Sequence, residues 1–506
     1  MYPVIERLQA LGYAPSAFLG MRPWTRADCA RLARQVGELI NEDERAPGEA
    51  RSLSAVLDSE FTDSARRFSY AVESIYSRQQ GILGPPLRDG YHFGQSLTND
   101  YGRPYAEGGN FVSGVSVRGG AGAFVFHVQG ELQQWPSTTP ATTPVVLAIA
   151  DADNRPPLAE SGSGAHRFRL LDTYVALQFR KIQLSFGKQS LWLGPGQSGP
   201  FLFSNNAEPI WMLQFNRTAP WRIPWIARLL GPMRWQFFLG QLRGHGFVFS
   251  APTLYGPSID PQPYIHGEKV SFHPTKNLEF GMGVTTVFGG PGMPFTARTF
   301  VRSLSWWNHN AGTSADAGDH RSSFDFSYRI PGVRSWLVIY GDALVEDEIS
   351  PIGSSRPAFH PGIYLPRIPH LPKLDMRLEG MYTDVPGQRP IATIYYNSRY
   401  RSGYTNYGNV LGSWIGRQGR GGQGWLTYWF AARNRLQLVY RHSEADRKFL
   451  QGGHLNDVGV SYESKVKRDF IASWTLQYER WAFPLLATGA RSNITIGFQL
   501  TFTPGD

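Results

Sequence analysis

The sequence predicts an all-β protein, a transmembrane antiparallel β-barrel of about sixteen to eighteen strands preceded by an α-helical segment. Four observations carry this. From about Phe111 onward, apolar and polar residues alternate with a period of two. The alternating segments run about ten residues, the length that crosses a bilayer when tilted. The linkers between them are uneven. Arg180-Lys181 and the step from Ala431 to Arg435 are short, whereas 137–164, 244–267, 306–320, 347–370 and 397–423 are long. Short turns at one end and long loops at the other are the outer-membrane pattern. Finally, mean hydropathy is −0.30 although 14% of the 506 residues are aromatic. No run of about eighteen apolar residues marks a membrane helix. Lipid-facing and lumen-facing residues of a barrel cancel in any window, which reconciles these values. Composition alone also allows a soluble all-β enzyme.

Residues 1–80 read as helical, and the expected division is a helical region over 1–100 and a barrel over 101–506. Val4, Leu8 and Leu11 share a face before Gly12. Thr25 can cap a helix from Arg26, with Cys29, Leu32, Val36 and Ile40 along one stripe. Asp63 opens a further helix carrying Phe68, Val72, Ile75 and Tyr76. The arginines of this region read as a solvated face. The strands then follow in order. Phe124, Phe126 and Val128 alternate with Val125, His127 and Gln129. Val175, Leu177 and Phe179 run into Arg180-Lys181, where the phase shifts and Ile182 restarts it, so a tight hairpin turn belongs there. Leu278 to Val284, Phe324 to Tyr328 and Leu374 to Leu378 repeat the alternation. It is clearest at the end, through Val458–Tyr462, Trp474–Tyr478 and Ile494–Phe502. Closing these strands into a barrel satisfies every backbone group in lipid and leaves no edge. Asp325, Arg329, Asp375, Arg377 and Glu379 then project into the lumen as ion pairs.

Residues 186–210 are the most unusual stretch. A strand ending in Gly187 and Lys188 leads to Gln189, Trp192, Gly194-Pro195-Gly196 and Gly199-Pro200, and Asn205-Asn206 closes it. Glycine allows positive φ and proline fixes φ, so this is a shaped turn. The pattern G-K-x-x-x-W-x-G-P-G followed by S-N-N-A-x-P resembles the Wzi family of outer-membrane capsule-assembly proteins. Here it comprises Gly187, Lys188, Trp192, Gly194, Pro195, Gly196, Ser204, Asn205, Asn206, Ala207 and Pro209. Tyr2-Pro3 through Leu8, Leu11-Gly12 and Arg22 to Arg26 are similar to that family's N-terminal helical region. Gly412 to Arg417, Tyr428 to Phe430, Gln477 to Trp481 and Pro484 are similar to its closing strands. The resemblance implies helices packed near the periplasmic mouth, a lectin role and no catalysis. An independent helical domain tethered to the barrel is the other reading of residues 1–80. An outer-membrane protein needs an export signal, and Met1-Tyr2-Pro3-Val4 carries no basic or apolar leader, so one is expected upstream.

Enzyme signatures are missing: there is no G-x-S-x-G, no H-E-x-x-H, and Gly187-Lys188 is followed by Gln189 rather than Ser or Thr. The single cysteine, Cys29, leaves no disulfide framework and no cysteine-based zinc site. Asp342, Glu346, Asp347 and Glu348 read as a solvated loop rim rather than a calcium site. His309, His320, His360 and His370 sit in candidate loops without metal-ligand spacing. No metal and no cofactor are expected. The loops interleave aromatics with arginines: Trp306, Trp307, Arg399, Tyr400, Arg401, Tyr404 and Arg417 are the candidate polysaccharide contacts. Aromatic rings stack on the C–H faces of sugars, and guanidinium pairs bidentately with their carboxylates. The net charge of +10 would steer a polyanion. Trp425, Tyr428, Trp429 and Trp481 belong instead to the membrane-interface girdle. The expected function is to bind and anchor capsular or other surface polysaccharide at the outer membrane of a Gram-negative cell, as a monomer among lipids and without nucleic acid. Two rivals are a saccharide channel and a soluble periplasmic glycan-active enzyme.

Overall fold

The computed structural model describes the chain except for residues 62–67, 159–161, 306–312, 314, 334–336, 386–393 and 505–506. Eighteen antiparallel strands close into a barrel, within the expected range. The first six are β1 Phe68–Leu83, β2 Gly108–Ala121, β3 Phe124–Trp135, β4 in two segments (Ala165–Leu170 and Thr173–Phe179), β5 Ile182–Lys188 and β6 Trp211–Arg217. The next six are β7 Met233–Gln241, β8 Tyr264–Thr275, β9 Leu278–Phe288, β10 Asp319–Arg329, β11 Val338–Glu346 and β12 Ala358–Leu365. The last six are β13 Leu374–Tyr382, β14 Gly419–Ala431, β15 Asn434–Ala445, β16 Gly453–Lys467, β17 Phe470–Ala482 and β18 Arg491–Phe502. Each strand pairs with its neighbour in sequence, and β18 returns to β1 in the register Ile75↔Phe502 to Leu83↔Ile494. No sheet edge is left open to recruit another chain.

The alternation read from the sequence is the alternation of the wall. On β18, Ile494, Ile496, Phe498 and Leu500 are exposed on the outer face, while Asn493 and Thr495 are buried inside. The outer belt is therefore apolar and the lumen polar, as a lipid-embedded barrel requires. Asp325, Arg329, Asp375, Arg377 and Glu379 are all buried. Asp325 pairs with Lys269, and Asp375 lies 2.9 Å from Arg7. Arg377 meets Glu6 at 3.0 Å, and Glu379 meets His360 at 3.0 Å.

Three helices precede the barrel: α1 Tyr2–Leu11, α2 Arg26–Glu42 and α3 Gly48–Phe61. Gly12 ends α1 in the left-handed region at φ 103°, where a side chain would also crowd Arg329. Thr25 caps α2, its hydroxyl accepting from Asp28 N at 3.1 Å. The helices share a core of Val4, Leu8, Leu32, Val36, Ile40, Leu53 and Leu57, which continues onto Trp429 and Ala432 at the short-turn end of the wall. Short turns mark the periplasmic end in outer-membrane barrels generally. Arg7 is fully buried, donating to Glu49 at 2.7 Å, Asp375 at 2.9 Å and the Pro372 carbonyl at 3.0 Å. The arginines expected on a solvated face thus include one that fastens the bundle to the barrel. The bundle packs against the short-turn mouth of the barrel and is not a separately tethered domain.

Four further expectations are corrected. The barrel starts at Phe68, not at residue 101, and the helix expected from Asp63 gives way to β1. A bulge between Val72 and Ser74 explains the misreading. Tyr70, Val72 and Ile75 all face outward, so the extra residue spaces the last two by three, which imitates a helical period. In the expected girdle only Tyr428 faces lipid; Trp425, Trp429 and Trp481 are buried, because Trp425 and Trp429 share the phase of lumen-facing Thr427. The acidic run also divides. Asp342 and Glu346 lie on β11 and are buried inside, whereas Glu348 pairs with Arg356 at 2.9 Å outside. His320 and His360, expected in loops, are on β10 and β12.

Candidate functional site

At the other end the long loops fold into the barrel. The segment 189–210, between β5 and β6, and the segment 394–418, between β13 and β14, pack together over Leu191, Leu193, Phe201, Leu202, Tyr395, Tyr400, Tyr404 and Trp414. Wall carboxylates hold this plug from below. Glu379 accepts from Gln197 N at 2.7 Å and Ser198 N at 2.9 Å, and Asp342 accepts from Phe201 N at 2.8 Å. His360 lies between the two carboxylates, 2.8 Å from Asp342 and 3.0 Å from Glu379. Hydrogen bonds to ionised acceptors are the stronger kind, and burial strengthens them further.

The G-K-x-x-x-W-x-G-P-G residues turn out to be plug architecture. Lys188 pairs with Glu208 and also donates to the Leu170 carbonyl at 3.0 Å, where β4 is interrupted. The Trp192 indole N–H donates to the Gly196 carbonyl at 3.0 Å, closing the turn through Gly194 and Pro195. A Cβ on Gly196 would overlap the His360 ring, so only glycine fits there. Asn205 accepts from Tyr101 N through its carbonyl at 2.8 Å, and the Asn206 side chain donates to the Val410 carbonyl at 3.4 Å. Trp192 also pairs by backbone with Arg22, at 3.0 and 3.1 Å, so the plug meets the N-terminal segment inside the lumen.

The arginines and tyrosines expected on exposed loops lie inside the same plug. Arg399 is 2% exposed and Arg417 is 0% exposed, and Tyr400, Arg401 and Tyr404 are buried. The Tyr400 hydroxyl donates to the Gly289 carbonyl at 3.2 Å, and Tyr404 to the Leu202 carbonyl at 2.8 Å. Arg399 donates to the Thr313 carbonyl at 3.1 Å, and Arg401 to the Tyr396 hydroxyl at 3.3 Å. Arg417 is held 2.6 Å from Asp153 and 4.9 Å from the rings of Tyr91, Tyr396 and Phe449. Tyr400, Tyr404 and Arg399 satisfy carbonyls that the lumen removes from water, Arg401 a hydroxyl and Arg417 a carboxylate, and their burial leaves little of them on any surface. Trp306, Trp307 and His309 lie outside the described residues. Asp153 also contacts His92 at 3.1 Å, and Asp89 contacts the other ring nitrogen at 3.0 Å. Burial opposes the imidazolium, but the two carboxylates outweigh it and hold His92 up to about 9.

Arginine and aromatic residues do reach the open side of the mouth, at positions the loop reading missed. Arg167 stacks over Trp135 with 5.4 Å to the ring centroid, and Arg169 over Tyr407 with 4.9 Å. Arg167 and Arg169 begin β4, Trp135 ends β3, and Tyr407 is 41% exposed. Arg167 is further oriented by Gln133 at 3.0 Å. The R-x-R spacing in a strand entering the barrel was the legible signal, since a period of two puts both guanidiniums on one face.

Comparison with known proteins agrees with this geometry. A family model described as capsule assembly protein Wzi matches residues 77–496. An uncharacterised 55.8 kDa protein in the cps region of Klebsiella pneumoniae is 28% identical over 190 residues, covering 37% of this chain and 35% of that protein. The structure is similar to that of Wzi of Escherichia coli, an outer-membrane protein involved in group 1 capsule assembly and a carbohydrate-binding β-barrel. The TM-score is 0.69 at 18% identity, covering 99% of this chain and 98% of that one. OccAB3 of Acinetobacter baumannii is more distant, with a TM-score of 0.45 at 12% identity, covering 85% and 99%. The match of the family model over most of the barrel shows that the chain belongs to the Wzi capsule-assembly family.

Proposed function

We propose that this protein is a non-catalytic outer-membrane lectin that binds capsular polysaccharide and anchors it at the cell surface. The observation that carries the reading is the filled lumen: helices from the periplasmic side and folded loops from the outer side meet inside the barrel. A sealed barrel suits holding a polymer better than conducting a solute. The outer face offered to the polymer is the pair of arginine–aromatic stacks, Arg167 with Trp135 and Arg169 with Tyr407. Gln133 at 3.0 Å from Arg167 and Glu208 at 3.7 Å from Arg169 fix these guanidiniums against their rings, a set orientation for meeting sugar carboxylates and hydroxyls, and repeated weak contacts along a polymer add by avidity. Arg399, Tyr400, Arg401, Tyr404 and Arg417 contribute by fixing the loops beneath that face. Replacing Arg167 and Arg169 together by Ala tests this. Binding of an acidic capsular polysaccharide by the detergent-folded variant should weaken several-fold, with an unchanged barrel. Equal binding by variant and wild type would remove the stacks from the account.

A further inference from the structure

Beneath the plug lies a cavity of about 670 Å³, within the range of about 300–1,000 Å³ that holds small organic ligands. It lies between residues 22–27 and the periplasmic halves of β1 to β6. Ala27, on α2 at its rim, is exposed, so it opens toward the end that carries the helices. The outer mouth is on the far side of the plug, so this is a separate site.

We propose that this cavity binds a short, neutral, hydroxyl-rich saccharide segment presented from the periplasmic side. Its walls join flat aromatic faces to side-chain amides. Arg22 packs among the rings of Tyr2, Trp24 and Trp192, at 5.1, 5.8 and 5.9 Å from their centroids, and so holds Trp24 and Trp192 in place along the cavity. Pyranose rings offer C–H faces to such aromatics and hydroxyls to amides.

The charges at the wall are already engaged, Arg26 among them, which meets Glu60 at 3.1 Å. Arg22 meets Glu6 at 2.6 Å, Glu73 lies 3.4 Å from Arg118 and 3.0 Å from His127, and Asp172 accepts from Ser190 N at 2.5 Å and its hydroxyl at 2.9 Å. A ligand carboxylate would find no uncommitted cation among these groups, hence a neutral segment.

Gln214 and Asn216 on β6 supply the second observation. They are 1% and 3% exposed and line the cavity, yet among the described residues the Gln214 amide nitrogen and the Asn216 carbonyl oxygen have no hydrogen-bond partner. A buried amide left unpaired weakens a fold, and its retention is explained by a polar guest. Gln183 and Gln189 extend the same amide set on neighbouring backbone.

The inference rests on the polysaccharide reading only for the class of polymer. Its test uses the detergent-folded full chain, with maltotriose as a neutral probe and trigalacturonate as an acidic one. Isothermal calorimetry should show maltotriose binding. Hydrogen exchange should then show added protection at 22–27 and 189–192. In the Gln214→Met, Asn216→Leu double variant, which removes the two unpaired groups at the loss of one long Ser185 contact of 3.3 Å, affinity should fall by about tenfold or more. Exchange mapping on the wild type decides the site even if that variant misfolds. Protection confined to the outer mouth, preference for trigalacturonate, or no binding of either probe at millimolar concentration would overturn the inference. If both probes fail while whole capsular polysaccharide still co-sediments with the protein, the cavity inference falls and the polysaccharide reading stands.

Discussion

Replacing Glu379 by Ala should release the plug from the wall. This one carboxylate accepts from Gln197 N at 2.7 Å, Ser198 N at 2.9 Å and the Tyr340 hydroxyl at 2.6 Å, and faces His360 at 3.0 Å. Glu379, His360, Tyr340 and Ser198 are buried, and Gln197 is half-buried. Removing one partner of a buried, hydrogen-bonded ion pair costs about 3–5 kcal/mol, because the other charge is left uncompensated. The loss should fall on local opening of the plug rather than on the barrel, whose strand ladders do not depend on Glu379. At about 1.4 kcal/mol per decade, protection of the Gln197, Ser198 and Phe201 amides should drop by about two to three and a half decades. Hydrogen exchange read by mass spectrometry on detergent-folded protein measures this directly. Unchanged protection at those amides, with the substitution verified, would refute the claim that wall carboxylates hold the plug.

Other consequences can be checked alongside. The Asp89–His92–Asp153 cluster should lose grip in alkali. The His92 pKa is raised in the fold to about 9 from an ordinary value near 6.5, so its stabilisation is complete below about 6.5 and is lost as pH rises through about 9. Protease nicking of the 136–164 loop, which carries Asp153, should therefore rise between neutral pH and pH about 10, and His92→Gln should abolish that step. Asp100 works in the opposite direction. Burial alone would raise its pKa, but Arg78 and Arg103 hold it down to about 2, so its contribution is present above about 3.9 and lost as pH falls through about 2. Gly196→Ala should overpack the turn against His360 and cost about 1–3 kcal/mol, seen as a lower unfolding temperature of the folded barrel. In planar bilayers the wild type should give no sustained conductance steps; porin-like steps would contradict a sealed lumen.

The wall was legible because its physics is local. Alternation such as Leu374, Met376 and Leu378 against Asp375, Arg377 and Glu379 is imposed by the pleat, so the sequence shows both the strand and its lumen face. Where one extra residue breaks the pleat, as between Val72 and Ser74, the same reading yields a helix that does not form. The candidate site was less legible. Arg399, Tyr400, Arg401 and Tyr404 have the composition of a sugar-binding loop, but tyrosine hydroxyls and guanidiniums serve equally to cap buried carbonyls. Which role applies depends on whether a loop turns into or out of the lumen. That is decided by partners some 85 to 200 residues away, such as Thr313, Gly289 and Leu202. The lower cavity left no local trace, since its lining comes from the N-terminal segment and from six strands.

The most direct test of the central claim is co-sedimentation of the detergent-folded wild-type protein with capsular polysaccharide from its own source, against an unrelated glycan of similar length. Selective co-sedimentation with the capsular polymer is the predicted result. Failure to pellet with it, from a barrel shown to be folded, would contradict the lectin account and leave a sealed scaffold in its place.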